Sequence, residues 1–160
     1  MDKQQELDLL NQVKEEIKYN DVLIKMFKKH GVKPEYLRLF PMTFSDSIEV
    51  SARTDHGIIY FNIKLLDKPD QLAHYMIHEL THVAQQCFRN EATQGANDGD
   101  YLDNKFEQEG FRNQTEYLSE TRGDEVAENY IDKVLDHHEV NSKKEREKRK
   151  KKLLELSDKK

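Results

Sequence analysis

The stretch His78-Glu79-Leu80-Thr81-His82 constrains this chain more than any other. It lies in a run where Ala73, Met76, Ile77, Leu80, Ala84, Cys87 and Phe88 recur at three- and four-residue spacing. That is the period of an α-helix with one apolar stripe. Histidines four apart stand about one turn apart on one side of such a helix, which suits two ligands of a single metal ion. His74, His78, His82 and Gln85 fall on the flank of the stripe, and Glu79 on the flank beyond. Two imidazoles with a carboxylate between them are the pattern of a zinc site, with the glutamate placed to take a proton from the attacking water. A helix that simply carries solvated histidines is the plain alternative.

Length and patterning set the frame for that helix. At 160 residues the chain can bury a real core, and we expect one domain over 1–140 followed by a basic tail over 141–160. The first residues, MDKQQELDLLNQVKEE, hold no apolar signal region, and no run approaches a membrane span. The expectation is a cytoplasmic protein without membrane contact. One cysteine, Cys87, excludes an internal disulfide, and on the apolar stripe it reads as a small buried hydrophobe. The Asn113-Gln114-Thr115 sequon is then expected to stay unmodified.

In chain order, Leu7, Leu10, Val13 (or Lys14) and Ile17 mark an amphipathic helix over about 4–19. A second short helix, capped by Asp21 and carrying Val22, Leu23, Met26 and Phe27, should end at Gly31 with Pro34 beyond. Tyr36, Leu37, Leu39 and Phe40 read as a buried connector. Alternation of Ile48, Val50 and Ala52 predicts a strand from Ser47 to Arg53, and Thr54-Asp55-His56-Gly57 predicts a turn. Ile58 to Ile63 is the strand richest in β-branched and aromatic residues, so it belongs well inside the sheet. His56 reads as a solvated turn residue.

The histidine helix should start near Asp67-Lys68-Pro69 and run to Phe88 or Arg89, followed by a polar loop over 90–100. Tyr101 to Thr121 predicts a further helix, Arg122-Gly123 a break, and Asp124 the cap of a last core helix with Ala127, Tyr130, Ile131, Val134 and Leu135 inward. The fold class that follows is α+β: a mainly helical domain with a small antiparallel sheet, a hairpin at about 47–64, packed on the histidine helix. Residues 143–160 hold ten Lys/Arg against four Asp/Glu, a balance of +6 that leaves −11 on the rest of a chain of net −5. That tail has helical propensity but no wide apolar face, so it should project or fray.

A catalytic zinc site takes three protein ligands and a water. Glycine at position 85 and histidine at position 88 would extend the motif to a third histidine, but the chain has Gln85 and Phe88. Glu107 and Glu109 point about 200° apart on a helix, so one alone can face the metal. Glu109 shares its side with Arg112, Asn113, Glu116 and Glu120, a polar and solvated face, while Glu107 lines up with Gly110, Phe111, Gln114 and Leu118 on the packed side. A carboxylate on a packed face is costly unless it is paired or bound to metal, which makes Glu107 the preferred third ligand. Glu109, the pair Glu120 and Asp124, and the histidines His137 and His138 remain as rivals.

His78-Glu79-Leu80-Thr81-His82-Val83-x-Gln85, followed by Tyr101-x-Asp103-x-x-x-Glu107-x-Glu109-Gly110-Phe111, resembles small zincin-type proteins of phages and bacteria. The second motif is similar to the E-x-E-A element of gluzincin metallopeptidases, whose first glutamate is the third zinc ligand and falls here on Glu107. Lys105 stands where that group usually has proline, and Gly110 where it has alanine. Phe111 occupies the position where many gluzincins place the partner carboxylate or amide, so that partner is not legible here. The resemblance covers about residues 58–138.

It implies a zincin-like domain acting as a zinc-dependent metallopeptidase on a peptide or protein substrate. His78, His82 and Glu107 would hold Zn2+, and Glu79 would be general base to a metal-activated water. It also implies a strand edge for an extended substrate, a part open to 58–63, and an oxyanion-steadying residue drawn from Tyr101, Tyr117 and His138. For a phage-encoded chain the location is the host cytoplasm or the virion. Two other classes stand beside this: a zincin fold used for binding without catalysis, and nucleic-acid or acidic-surface contact through residues 143–152.

Overall fold

Among the described residues of the computed structural model, 2–87, 104–137 and 142–153, the chain is mostly helical with one small mixed sheet, an α+β fold. It divides into two compact units, Met1–Ala96 and Asn97–Lys160. No helix among the described residues is long and apolar enough to cross a membrane. The polar loop expected at 90–100, Phe88, Tyr101, His138 and the side chain of Cys87 lie outside the described residues.

In the first unit, α1 (Lys3–Ile17) opens on a capping box in which Asp2 accepts from the Gln5 amide while the Gln5 side chain accepts from Asp2 N–H. Leu10, Val13 and Ile17 are buried, whereas Leu7 is largely exposed, so the apolar stripe starts one turn later than its sequence suggests. Helix α2 (Asp21–His30) is capped by Asn20, whose side chain accepts from Val22 N–H, not by Asp21. Asn20 has the extended backbone a cap requires, and Asp21 already lies in the first turn. Gly31 closes α2 in the left-handed conformation at φ 73°. Residues Pro34–Leu39 form a 3-10 turn in which Leu37 is buried and Leu39 is exposed. The ammonium of Lys14 ties this turn to α1 by donating to the Phe40 carbonyl at 2.8 Å and the Arg38 carbonyl at 3.4 Å.

The sheet has order β1-β3-β2, with β1 Met42–Ser45, β2 Ala52–Asp55 and β3 Ile58–Asn62. As expected, β3 is central, with Ile59 and Phe61 fully buried. Strands β2 and β3 form the predicted antiparallel hairpin, pairing Ala52 with Phe61 and Asp55 with Ile58. The third strand was not legible: β1 is parallel to β3, with Met42 opposite Ile59 and Phe44 opposite Phe61. Ser47 to Ser51, read as the start of a strand, is not one, and Val50 is 47% exposed. There the Asn62 side-chain amide donates to the Ile48 and Val50 carbonyls at 3.1 and 3.2 Å, replacing ladder bonds. Thr54 and Asp55 belong to β2, so the turn is His56-Gly57 alone, with φ of 51° and 81°, the two positive values of a type I′ hairpin.

Helix α3 (Pro69–Cys87) packs on α1, α2, β2 and β3. Leu72, Met76, Ile77 and Leu80 are completely buried, each contributing about 1.5–3 kcal/mol of hydrophobic stabilisation. The Lys68 carbonyl accepts from the Leu72 amide, the first bond of the helix, which begins at the proline as expected.

The second unit holds α4 (Lys105–Arg122), α5 (Asp124–His137) and α6 (Lys143–Leu153). Asn104 caps α4 by accepting from the Phe106 and Glu107 amides. Gly123, at φ 98°, separates α4 from α5, and the Ser119 hydroxyl donates to the Asp124 carboxylate across that break. The basic tail does not project through the described residues. Helix α6 packs on α4 and α5, with Leu153 buried in one cluster with Phe111, Ile131 and Leu135. The Thr115 hydroxyl donates to the Leu153 carbonyl at 3.3 Å, and Arg146 meets Asp136 at 2.8 Å. Leu153, at the end of the basic run, supplies the apolar anchor that a broad face would otherwise provide.

Candidate metal centre

In the first unit the helix period of α3 brings His78 and His82 onto one side, with ring centroids 4.9 Å apart and planes at 71°. Two nitrogens bound tetrahedrally to one zinc ion lie about 3.3 Å apart, which neighbouring rings at this separation can supply. Both rings are buried, His78 to 4% and His82 to 8% exposure. Buried imidazoles need partners for their polar atoms, and His82 Nδ1 meets Gln85 Oε1 at 2.9 Å. With that oxygen accepting, Nδ1 carries the proton and Nε2 presents its lone pair, the tautomer of a metal ligand oriented by an outer partner. Gln85 is itself completely buried, so its amide is held rather than solvated.

Glu79 is 7% exposed. Its carboxylate is steadied from the sheet: the Thr54 hydroxyl of β2 lies 2.9 Å from Glu79 Oε1 and 3.2 Å from the Glu79 carbonyl. A buried carboxylate at that position of the helix is costly without a partner, and Thr54 supplies one. His74, one turn before His78, is buried and meets Gln71 Oε1 through Nε2 at 3.1 Å. Thr81 is turned into the helix, its hydroxyl donating to the Ile77 carbonyl at 2.9 Å.

In the second unit Glu107 stands in the first turn of α4 and is half-buried, as is Glu109. The face read as solvated is not so: Asn113 and Glu116, which share the Glu109 side, are both buried, and Gln114 and Thr115 beside them are buried too. Burial therefore does not separate Glu107 from Glu109. It does separate both from the E-x-x-x-D rival, because Glu120 is exposed and Asp124 is engaged by Ser119. His137 lies exposed in the last turn of α5. Among the oxyanion candidates Tyr117 is buried in α4, and Tyr101 and His138 fall outside the described residues.

Strand β3 is paired on both sides, to β1 and to β2, so it has no free edge to offer an extended chain. The edge strand that packs on α3 and meets Glu79 is β2. Thr54 was missed from sequence because the motif carries no information about which strand lies against it. Gln85 was visible on the histidine flank, but its bond to His82 depends on a side-chain rotamer. Comparison with protein-family models, curated proteins and solved structures gives no match to this chain.

Proposed function

We propose that this protein is a zinc-dependent peptidase of zincin type, in which His78, His82 and Glu107 hold the metal and Glu79 is the general base. The observation that carries the proposal is the buried His78-Glu79-x-x-His82 helix with its partners in place, Gln85 on His82 and Thr54 on Glu79. His78 and His82 offer two buried imidazoles from one helix, and Glu107 is the third donor that the E-x-E motif of the sequence implies. Two imidazoles and a carboxylate are a donor set suited to zinc. Zinc bound there supplies Lewis acidity, which brings a water near neutral pKa and polarises a carbonyl.

The chain's own residues do the rest. Glu79 accepts the proton of the attacking water and returns it to the leaving amine. Gln85 holds His82 in one tautomer through its Nδ1. Strand β2 is the outer strand of the described sheet, and its edge beside Glu79 would offer an extended substrate main-chain hydrogen bonds.

The test is cleavage of a random peptide library by zinc-loaded wild type and Glu79→Gln, followed by mass spectrometry. The expected result is cleavage by wild type that falls at least about 100-fold in the variant, the usual contribution of a general base. Zinc bound without cleavage by either protein would leave a metal-bearing binding module. Salt-sensitive nucleic-acid binding by a protein that takes up no zinc would instead favour the basic helix as the working part.

A further inference from the structure

We propose that Thr54 is the positioning residue of the base: its hydroxyl fixes the Glu79 carboxylate by Oε1 and leaves Oε2 as the atom that takes the proton. This rests on the reading of Glu79 as general base. Three observations carry it. The Thr54 hydroxyl donates to Oε1 at 2.9 Å, within ordinary hydrogen-bond range, with the Glu79 carbonyl at 3.2 Å as the secondary acceptor of the same proton. Among the described residues no other hydrogen bond reaches that carboxylate, so one oxygen is held and one is open. Glu79 is buried, so water does not compete strongly for the held oxygen.

The hairpin explains why the hydroxyl reaches that point. Thr54 pairs with Ile59, two steps from the His56-Gly57 turn, and the turn sets the register. A slip of one residue would direct Thr54 to the opposite face of β2 and bring Arg53 or Asp55 towards α3. The rigid hairpin thus hands its register to the base, and β2 serves both as the edge beside the site and as the support of its proton acceptor.

The test uses cobalt(II)-loaded protein titrated with acetohydroxamate, followed in the visible spectrum, so no substrate is needed. A hydroxamate that binds an open metal gives its proton to the neighbouring base, and its affinity reports where the carboxylate stands. Wild type, Thr54→Ser, Thr54→Val and Glu79→Gln are compared. Valine keeps the shape and strand preference of threonine and removes only the donor. The expected result is equal cobalt affinity in all four, equal hydroxamate affinity in wild type and Thr54→Ser, and a loss of about tenfold or more in Thr54→Val and Glu79→Gln, the loss a hydrogen bond to a charged group gives.

Unchanged hydroxamate affinity in Thr54→Val, alongside a loss in Glu79→Gln, would overturn the proposal and leave Thr54 a strut between β2 and α3. No cobalt uptake by wild type, or indifference of Glu79→Gln, would instead overturn the reading of the site on which it rests. Thr54→Ala takes the place of the valine variant in the same titration if valine does not fold.

Discussion

Leu153→Ala is the sharpest probe of the second unit, because it separates two ways of holding a basic helix. Leu153 is 1% exposed and packs with Phe111, Ile131 and Leu135, so truncation removes buried methyl groups and leaves a cavity among them. Such changes cost about 2–5 kcal/mol, and a site in the last described turn of α6 can relax in part, which places the expected loss near 3 kcal/mol. The charged contacts predict far less. Arg146 keeps 24% side-chain exposure while it meets Asp132 and Asp136, and pairs of that kind contribute about 0–1 kcal/mol.

Urea unfolding followed by far-UV circular dichroism should therefore shift its midpoint by about 1–2 M for Leu153→Ala, and by a few tenths for Arg146→Ala. In 1 M salt the Arg146 effect should vanish and the Leu153 effect persist, since screening acts on charges and not on a cavity. A midpoint unchanged by Leu153→Ala, or a loss larger in Arg146→Ala than in Leu153→Ala, would refute the view that this helix is pinned by its single leucine.

Three further outcomes follow from local geometry. His56→Asn should stabilise the protein by about 0.5 kcal/mol in the same unfolding assay, because asparagine suits the positive φ that His56 holds before Gly57; a destabilised variant would contradict the type I′ turn. Burial holds the Lys14 ammonium below its ordinary pKa of 10.5, so between the folded and unfolded values the unfolded chain binds more protons. Wild-type stability should then rise with pH as it approaches 10.5, relative to Lys14→Met, and a flat difference between the two melting curves would contradict it. Gln85→Ala should weaken zinc binding by about 10–100-fold in competition with a chromophoric chelator, as loss of an outer partner to a ligating histidine does; unchanged affinity would remove Gln85 from the site.

What could be read from sequence was carried by period and by punctuation. The spacing of Met76, Ile77, Leu80 and Ala84 placed α3, and with it the common side of His78 and His82, because a helix side is fixed by local geometry alone. Gly31 and Gly123 marked helix ends that the structure confirms with positive φ. What failed was non-local. Strand β1 is four residues long and gains its identity from parallel pairing with β3, which no local pattern announces. Alternation at Ile48 and Val50 was misread because Asn62, more than ten residues away, takes up their carbonyls. The polar side of α4 misled for the same reason: Asn113 and Glu116 look like surface residues until burial is known. The tail looks unanchored in sequence because leucines gathered at the end of a long basic run give no helical stripe, yet the place of Leu153 beside Phe111 decides the packing.

The metal centre is tested by zinc content, measured by elemental mass spectrometry on purified wild type, His78→Ala, His82→Ala, Glu107→Ala, Glu109→Ala and Glu120→Ala. One zinc per chain is expected, lost or sharply reduced in the two histidine variants and in Glu107→Ala, and retained in Glu109→Ala and Glu120→Ala. Loss in Glu109→Ala with retention in Glu107→Ala would move the third ligand to the neighbouring carboxylate. No zinc in wild type, and no uptake on titration, would contradict the metal centre itself.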